Sequence, residues 1–171
     1  MTHAPDHPLP TPNVMTGPLL AGVAPNQRAV VVEHAAALAA AAGLPLVCAF
    51  VDVTVYPVDG TTGGPRAPID PDGVDEDAGP IPAALQAAIT EQLAGSGVEW
   101  SVVALAGEPA HALARHAAEI GAALIVVGSR EHKLGSTIKE MTGGSIARQL
   151  LHRQEHPVLV VPVNPRVPDE Q

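Results

Sequence analysis

Five consecutive apolar residues, Ala123 to Val127, run directly into Gly128, Ser129 and Arg130. A run that short and that uniformly apolar is buried on both faces, which suits an internal strand of a parallel sheet and excludes a half-solvated hairpin strand. Parallel neighbours cannot be joined by tight turns, so such a strand demands crossover helices before and after it. The rest of the chain supplies them.

The first unit is a strand from Pro18 to Val23, the turn Ala24-Pro25-Asn26, and an alanine-rich helix from Gln27 to Ala42 with Asn26 as its cap and Gly43 beyond its end. The second strand is Leu44 to Val55. Pro82 opens a helix to Ala94 in which Leu85, Ile89 and Leu93 share one stripe. The third strand is Val98 to Leu105, and Gly107-Glu108-Pro109 turns the chain into a helix from Ala110 to Ile120. Strand four is Ala123 to Val127, a helix follows from about Gly144 to Arg153, and Pro157 to Val163 is strand five. Strands alternating with helices predict a doubly wound α/β fold, a five-stranded parallel sheet with helices on both faces.

Two segments stand apart. Met1 to Thr16 has no period of 2 or 3.6 and reads as a disordered arm, with the domain proper over 18–164 and a short tail at 165–171. Tyr56 to Pro80 is rich in Pro and Gly and carries Asp70, Asp72, Asp75, Glu76 and Asp77, which predicts a mobile, solvated acidic loop.

Ligands of doubly wound sheets bind beyond the carboxyl ends of the strands, where the winding reverses. In this chain that crevice is expected between Gly22 to Pro25 and Val127 to Arg130. Gly128-Ser129-Arg130 and Thr142-Gly143-Gly144-Ser145 flank a helix start, and glycine backbone, hydroxyls and helix dipole together suit a phosphate. Equally, Gly128 can be a strand-end turn and Ser145 a plain helix cap.

Composition narrows the partners. A net charge of −9 argues against nucleic acid or an anionic membrane, and 2% aromatic residues argue against base stacking along a row of rings. No apolar stretch approaches the length of a membrane span, no basic-then-apolar leader opens the chain, and a cytoplasmic protein is expected. Cys48 lies inside the apolar run PLVCAFV and reads as a small buried hydrophobe.

Val126-Val127-Gly128-Ser129-Arg130, Gly144-Ser145, Pro157-Val158-Leu159-Val160-Val161-Pro162 and, more loosely, Gly107-Glu108-Pro109 together resemble the universal stress protein family. The resemblance implies a sheet of order 3-2-1-4-5 and a homodimer paired through strand five, at Val158, Val160 and Val161. It also implies a stress-responsive regulatory or protective protein that binds ATP or AMP, with Mg²⁺, and no dedicated catalytic residues. On that resemblance the phosphate and ribose loop is Val127, Gly128, Ser129, Arg130, Gly144, Ser145 and Ile146, and the adenine side is Val23, Ala24 and Val51.

The chain departs from the family's Gly-x2-Gly-x9-Gly-[Ser/Thr] loop. Glu131 stands where the second glycine belongs, and twelve residues separate it from Gly144. A carboxylate there would repel phosphate unless Arg130, Lys133 or Lys139 offsets it. Ala24 stands where nucleotide-binding members have an Asp that meets adenine. These departures favour an alternative, a nucleotide-independent interaction module; a slow ATP hydrolase is a weaker one.

Two hydrolase patterns fail on context. Gly143 to Ala147 approximates a Gly-x-Ser-x-Gly elbow but lacks the preceding strand, and His152-Arg153-Gln154-Glu155-His156 runs straight into Pro157, so its histidines cannot share a continuing helix. His34, His111 and His116 fall in helices with no ligand spacing and are expected to be solvated or packed.

Overall fold

The computed structural model describes residues 15–59, 64–70, 80–129, 146–153 and 155–163. The predicted arm up to residue 14, the tail from 164, Glu131, Lys133 and Lys139 lie outside the described residues, as does the acidic stretch Asp72 to Asp77.

The elements run β1 (Leu19–Val23), α1 (Val30–Ala42), β2 (Leu46–Asp52), β3 (Val55–Pro57), β4 (Arg66–Pro68), α2 (Ala83–Leu93), β5 (Trp100–Ala106), α3 (Pro109–Ile120), β6 (Leu124–Gly128), α4 (Ile146–Arg153) and β7 (Val158–Val161). Five strands form one sheet in the order β5-β2-β1-β6-β7, all pairs parallel. Counted within that sheet the order is 3-2-1-4-5, as the resemblance implied.

Alternation along the strands sorts side chains to two faces. Leu19, Ala21, Cys48, Leu124, Val126 and Val161 point toward α1 and α2, where Val31, Ala35, Ala39, Ile89 and Leu93 cover them. Leu20, Ala49, Leu105, Ile125 and Val127 point the other way, against Ala110, Leu113 and Ala117 of α3 and Ala147 and Leu150 of α4. Burial pushes the Cys48 thiol up to about 12, because the thiolate would have to form in an apolar layer. No helix among the described residues is long and apolar enough to cross a membrane.

Two expectations are corrected. Helix α1 starts three residues later than the alanine-rich pattern suggested, and Asn26 does not cap it. Ala29 occupies the cap position with no side-chain bond, while Asn26 sits at φ 60° in a turn of its own. The segment expected to be structureless from Tyr56 contains a two-stranded antiparallel ribbon, β3 with β4, pairing Val55 with Pro68, Tyr56 with Ala67 and Pro57 with Arg66. Proline is compatible with it because each strand has an outer edge that needs no donor.

β7, the expected strand five, lies at one edge of the sheet, and its three residues expected at a dimer edge differ in exposure. Val161 is 2% exposed and belongs to the α1-side core, and Val158 packs against the α3-side core. Val160 is exposed at 40%, joined by Leu159 at 37%.

Candidate functional site: a crevice between β1 and β6

β1 and β6 are parallel neighbours, with Ala21 opposite Val126, yet their chains leave the sheet on opposite faces. β1 leads to α1 on one side and β6 to α4 on the other, so a crevice opens between the two exits. Gly22 narrows its floor. A Cβ there would lie 3.1 Å from Leu113 Cδ1 and 3.3 Å from Val127 Cγ1, so α3 packs closely against β1 only because that atom is missing.

Ala24 to Gln27 forms the lip on the β1 side. Gln27 N–H donates to the Ala24 carbonyl at 3.2 Å, and Ala24 N–H donates back to Gln27 Oε1 at 2.9 Å. The far end of the same amide, Nε2, lies 3.0 Å from where a Cβ on Gly128 would be, and Val31 and Val163 each stand 3.1 Å from that point. Glycine at 128 lets this side chain lie across the end of β6.

Ser129 forms the opposite lip. Its N–H donates to the Val161 carbonyl at 2.8 Å and its Oγ accepts from Val163 N–H at 3.1 Å. The hydroxyl therefore braces the exit of β7 while keeping its own proton to donate.

Two adjoining hollows result. The inner, about 120 Å³, is walled by Val23, Val51, Pro109, Leu113 and Val127. The outer, about 230 Å³, is walled by Pro25, Asn26, Arg28, Ser129 and Val163. Both share Ala24, Gln27, Gly128 and Ile146. Together they reach the lower end of small-molecule pocket sizes, about 300–1,000 Å³. A third hollow of about 250 Å³ lies behind the β1 lip against α2, bounded by Val32, Pro82, Leu85 and Ile89.

The helix start on the inner side is already closed. Glu108 precedes α3, and its carboxylate accepts from Ala110 N–H at 3.0 Å and His111 N–H at 2.9 Å. The predicted turn at Gly107-Glu108-Pro109 is thus a cap with its own anion. At the end of β2, Asp52 turns back on its chain, its Oδ1 accepting from Thr54 N–H at 2.9 Å and Thr54 Oγ1 at 2.6 Å.

The structure brings together Val23, Ala24, Val51, Val127, Gly128, Ser129 and Ile146, from both predicted sides of the site. Arg130, Gly144 and Ser145 lie outside the described residues. Sequence reasoning missed Gln27 and Glu108. Gln27 was assigned to a helix that starts later, and a carboxylate just before Pro109 was the available signal for the α3 cap.

Among the described residues no three His, Cys, Asp or Glu side chains come together as a metal-binding group. His152 ends α4 whereas His156 lies beyond it, so the His-x-x-Glu-His pattern does not sit on one helix. His34 Nδ1 lies 2.8 Å from the Val30 carbonyl oxygen. His116 is buried with Nδ1 3.4 Å from Glu119 Oε2.

The model of the universal stress protein family matches residues 15–162, which takes in the sheet and the crevice. The chain belongs to the universal stress protein family. Among curated proteins it is similar to universal stress protein YxiE of Bacillus subtilis (strain 168), 42% identical over 71 residues. That match covers 42% of this chain and 46% of the relative, just under half its length.

Solved structures of other universal stress proteins share the fold. One in complex with cAMP has a TM-score of 0.60 at 23% identity, covering 86% of this chain and 98% of the other. One from Archaeoglobus fulgidus in complex with dAMP has a TM-score of 0.54 at 18% identity, with coverage of 86% and 98%. One from Arabidopsis thaliana with AMP bound has a TM-score of 0.55 at 15% identity, with coverage of 91% and 100%.

Proposed function

We propose that this universal stress protein is a cytoplasmic regulatory or protective dimer, not a dedicated enzyme, whose β1–β6 crevice takes a nucleotide or another phosphorylated small molecule. The observation that carries the reading is the pair of adjoining hollows at the winding reversal, an inner one in which Gln27 is the one polar side chain among the described lining residues and an outer one that adds Asn26, Arg28 and Ser129. An uncharged ring fits the first. A phosphate fits the second, where Ser129 Oγ keeps a proton and α1 starts without a side-chain cap. Relatives crystallised with cAMP, dAMP and AMP make adenine nucleotides the first ligands to test.

Binding would act by stabilising one arrangement of the loops around the crevice, which a partner protein then reads. The dimer is proposed through β7, whose outer edge carries exposed Leu159 and Val160 with Leu151, 65% exposed, on the preceding helix. A second reading, a nucleotide-independent interaction module, is favoured by the absence of any charged side chain among the described residues of the inner hollow.

Calorimetric titration of the full chain with ATP, AMP and cAMP, with and without Mg²⁺, tests the choice. Saturable binding at micromolar to low millimolar concentration, without sustained phosphate release, is the expected outcome. No binding to any of them gives the interaction module the better claim, and sustained release revives a slow ATP hydrolase.

A further inference from the structure

The ribbon of β3 and β4 has a face that the proposed function does not use. Val58 N–H donates to the Pro65 carbonyl at 2.9 Å and Ile69 N–H to the Thr54 carbonyl at 2.8 Å, which fixes the register at both ends. Side chains alternate along each strand. Val55, Pro57 and Pro68 lie on one face and are partly buried, with Pro57 Cδ 3.8 Å from the position of a Cβ on Gly107 beyond β5. Thr54, Tyr56, Val58, Ala67 and Ile69 lie on the other, where Tyr56, Val58 and Ile69 are 49%, 59% and 64% exposed.

An antiparallel ribbon with one wet face ordinarily turns polar side chains to the water. Here the wet face holds the larger apolar groups, and such a grouping marks an interaction surface where scattered single residues would not. The edges of the ribbon do not serve. In this register the backbone groups of residues 55, 57, 66 and 68 point away from the paired strand, and Pro57 and Pro68 have no N–H. Each paired edge therefore presents one donor, at Val55 or at Arg66, too few for strand addition. A partner must meet the face with its own backbone already bonded, as an α-helix does and an extended peptide does not. From Thr54 to Val58 the face is about 13 Å long, the length of about nine helical residues.

Charge sets the sign of the partner. Between Asp52 and Pro80 the chain holds seven carboxylates and one basic residue, Arg66, within a net charge of −9. A second copy docked face to face would set the same acidic segments against each other, and an anionic membrane or nucleic acid would be repelled likewise.

We infer that the outer face of the β3–β4 ribbon docks a cationic amphipathic helix of a partner protein. Its apolar stripe lies on Tyr56, Val58 and Ile69, and its Lys or Arg side chains flank the stripe and meet the acidic surroundings. The inference is independent of the nucleotide reading of the crevice.

The probe is a helical peptide of leucine and lysine, about 14 residues long, with leucine on one face. It is titrated into the full chain and followed by calorimetry and by the ring protons of Tyr56, the chain's one tyrosine. Saturable binding at micromolar peptide is expected, with a shift of the Tyr56 signals and a loss of about fivefold in affinity at about 0.5 M salt. Tyr56→Ser combined with Ile69→Ser, its folding checked by circular dichroism, weakens binding about tenfold or more. Val58→Lys, which puts like charge on the face, weakens it separately. A peptide with serine in place of leucine keeps the charge and binds at least about tenfold more weakly.

No binding at millimolar peptide, equal binding of the serine peptide, or an affinity that neither set of substitutions changes overturns the inference. So does sedimentation in which the unsubstituted chain self-associates and the double variant does not, because the face is then an interface between copies.

Discussion

Helices α1 and α3 start at the same end of the sheet, on opposite faces, and are closed in opposite ways. At α3 the Glu108 carboxylate takes two of the first amides and Pro109 removes the need for another. At α1 Ala29 offers no side chain to the first amides, and Glu33 in the first turn makes no bond to them. The partial positive charge of α3 already has its anion, so a phosphate brought to that side meets like charge, whereas among the described residues no carboxylate caps the first amides of α1. On the proposed function the difference would divide the crevice, with an uncharged ring beside Pro109 and Leu113 and a phosphate beside Arg28 and Ser129.

The comparison breaks most severely if the α3 wall is hollowed out. Leu113 is buried and reaches under Gly22, so Leu113→Ala should cost about 3 kcal/mol in urea unfolding and enlarge the inner hollow. A loss under about 1 kcal/mol would mean that α3 does not press on β1 as described.

The α1 face carries a pH-dependent weakness at Cys48. The Cys48 thiol is raised from 9.0 to about 12 by burial, so the unfolded chain loses this proton first. Stability associated with Cys48 is complete below about pH 9 and falls by about 1.4 kcal/mol per pH unit above it, until the folded thiol also ionises. Cys48→Ala lowers stability at neutral pH but removes this slope. Denaturation curves from pH 8 to about 10.5 measure it, and an unchanged slope in the variant would place the alkaline weakness elsewhere.

Uncapping α3 sharpens the contrast between the two starts. Glu108→Ala should cost about 1.5 kcal/mol and raise the affinity for a phosphorylated ligand, because one carboxylate near the crevice is gone. An unchanged affinity would detach Glu108 from the electrostatics of the site. Ser129→Ala gives the smallest loss, about 1 kcal/mol, since Val163 N–H loses its acceptor. It should also weaken nucleotide binding, and thermal unfolding with and without ligand separates the two effects.

How far these features were legible follows from their range. α3 was located within a residue because Pro109 and Gly121 mark its ends locally, and Gly121 does adopt the left-handed cap at φ 60°. The strands were legible because burial on both faces leaves continuous apolar runs. The α1 start was misread because an Asn before an alanine-rich run satisfies two local rules, a cap and a turn, and only the fold decides between them. β3 and β4 were hidden by prolines that a two-stranded ribbon tolerates.

Which side chains of the edge strand β7 stay open is a matter of register, which the sequence does not display. Val161 lies opposite Gly128, next to the α1-side core, so its side chain turns inward, while Leu159 on the same face lies beyond that cover. The most consequential omission, Gln27, could not have been read from spacing. Its role depends on two strand ends meeting and on a glycine at 128 that leaves room for the amide.

The location of the ligand tests the account most directly. Amide ¹H–¹⁵N correlation spectra recorded while AMP is titrated into the protein should show shifts concentrated at residues 23–28, 127–129 and 146, with Ala110 and His111 little changed because Glu108 holds their N–H groups. Shifts confined to the α2 hollow around Leu85 and Ile89, or strongest at the α3 start, would contradict it.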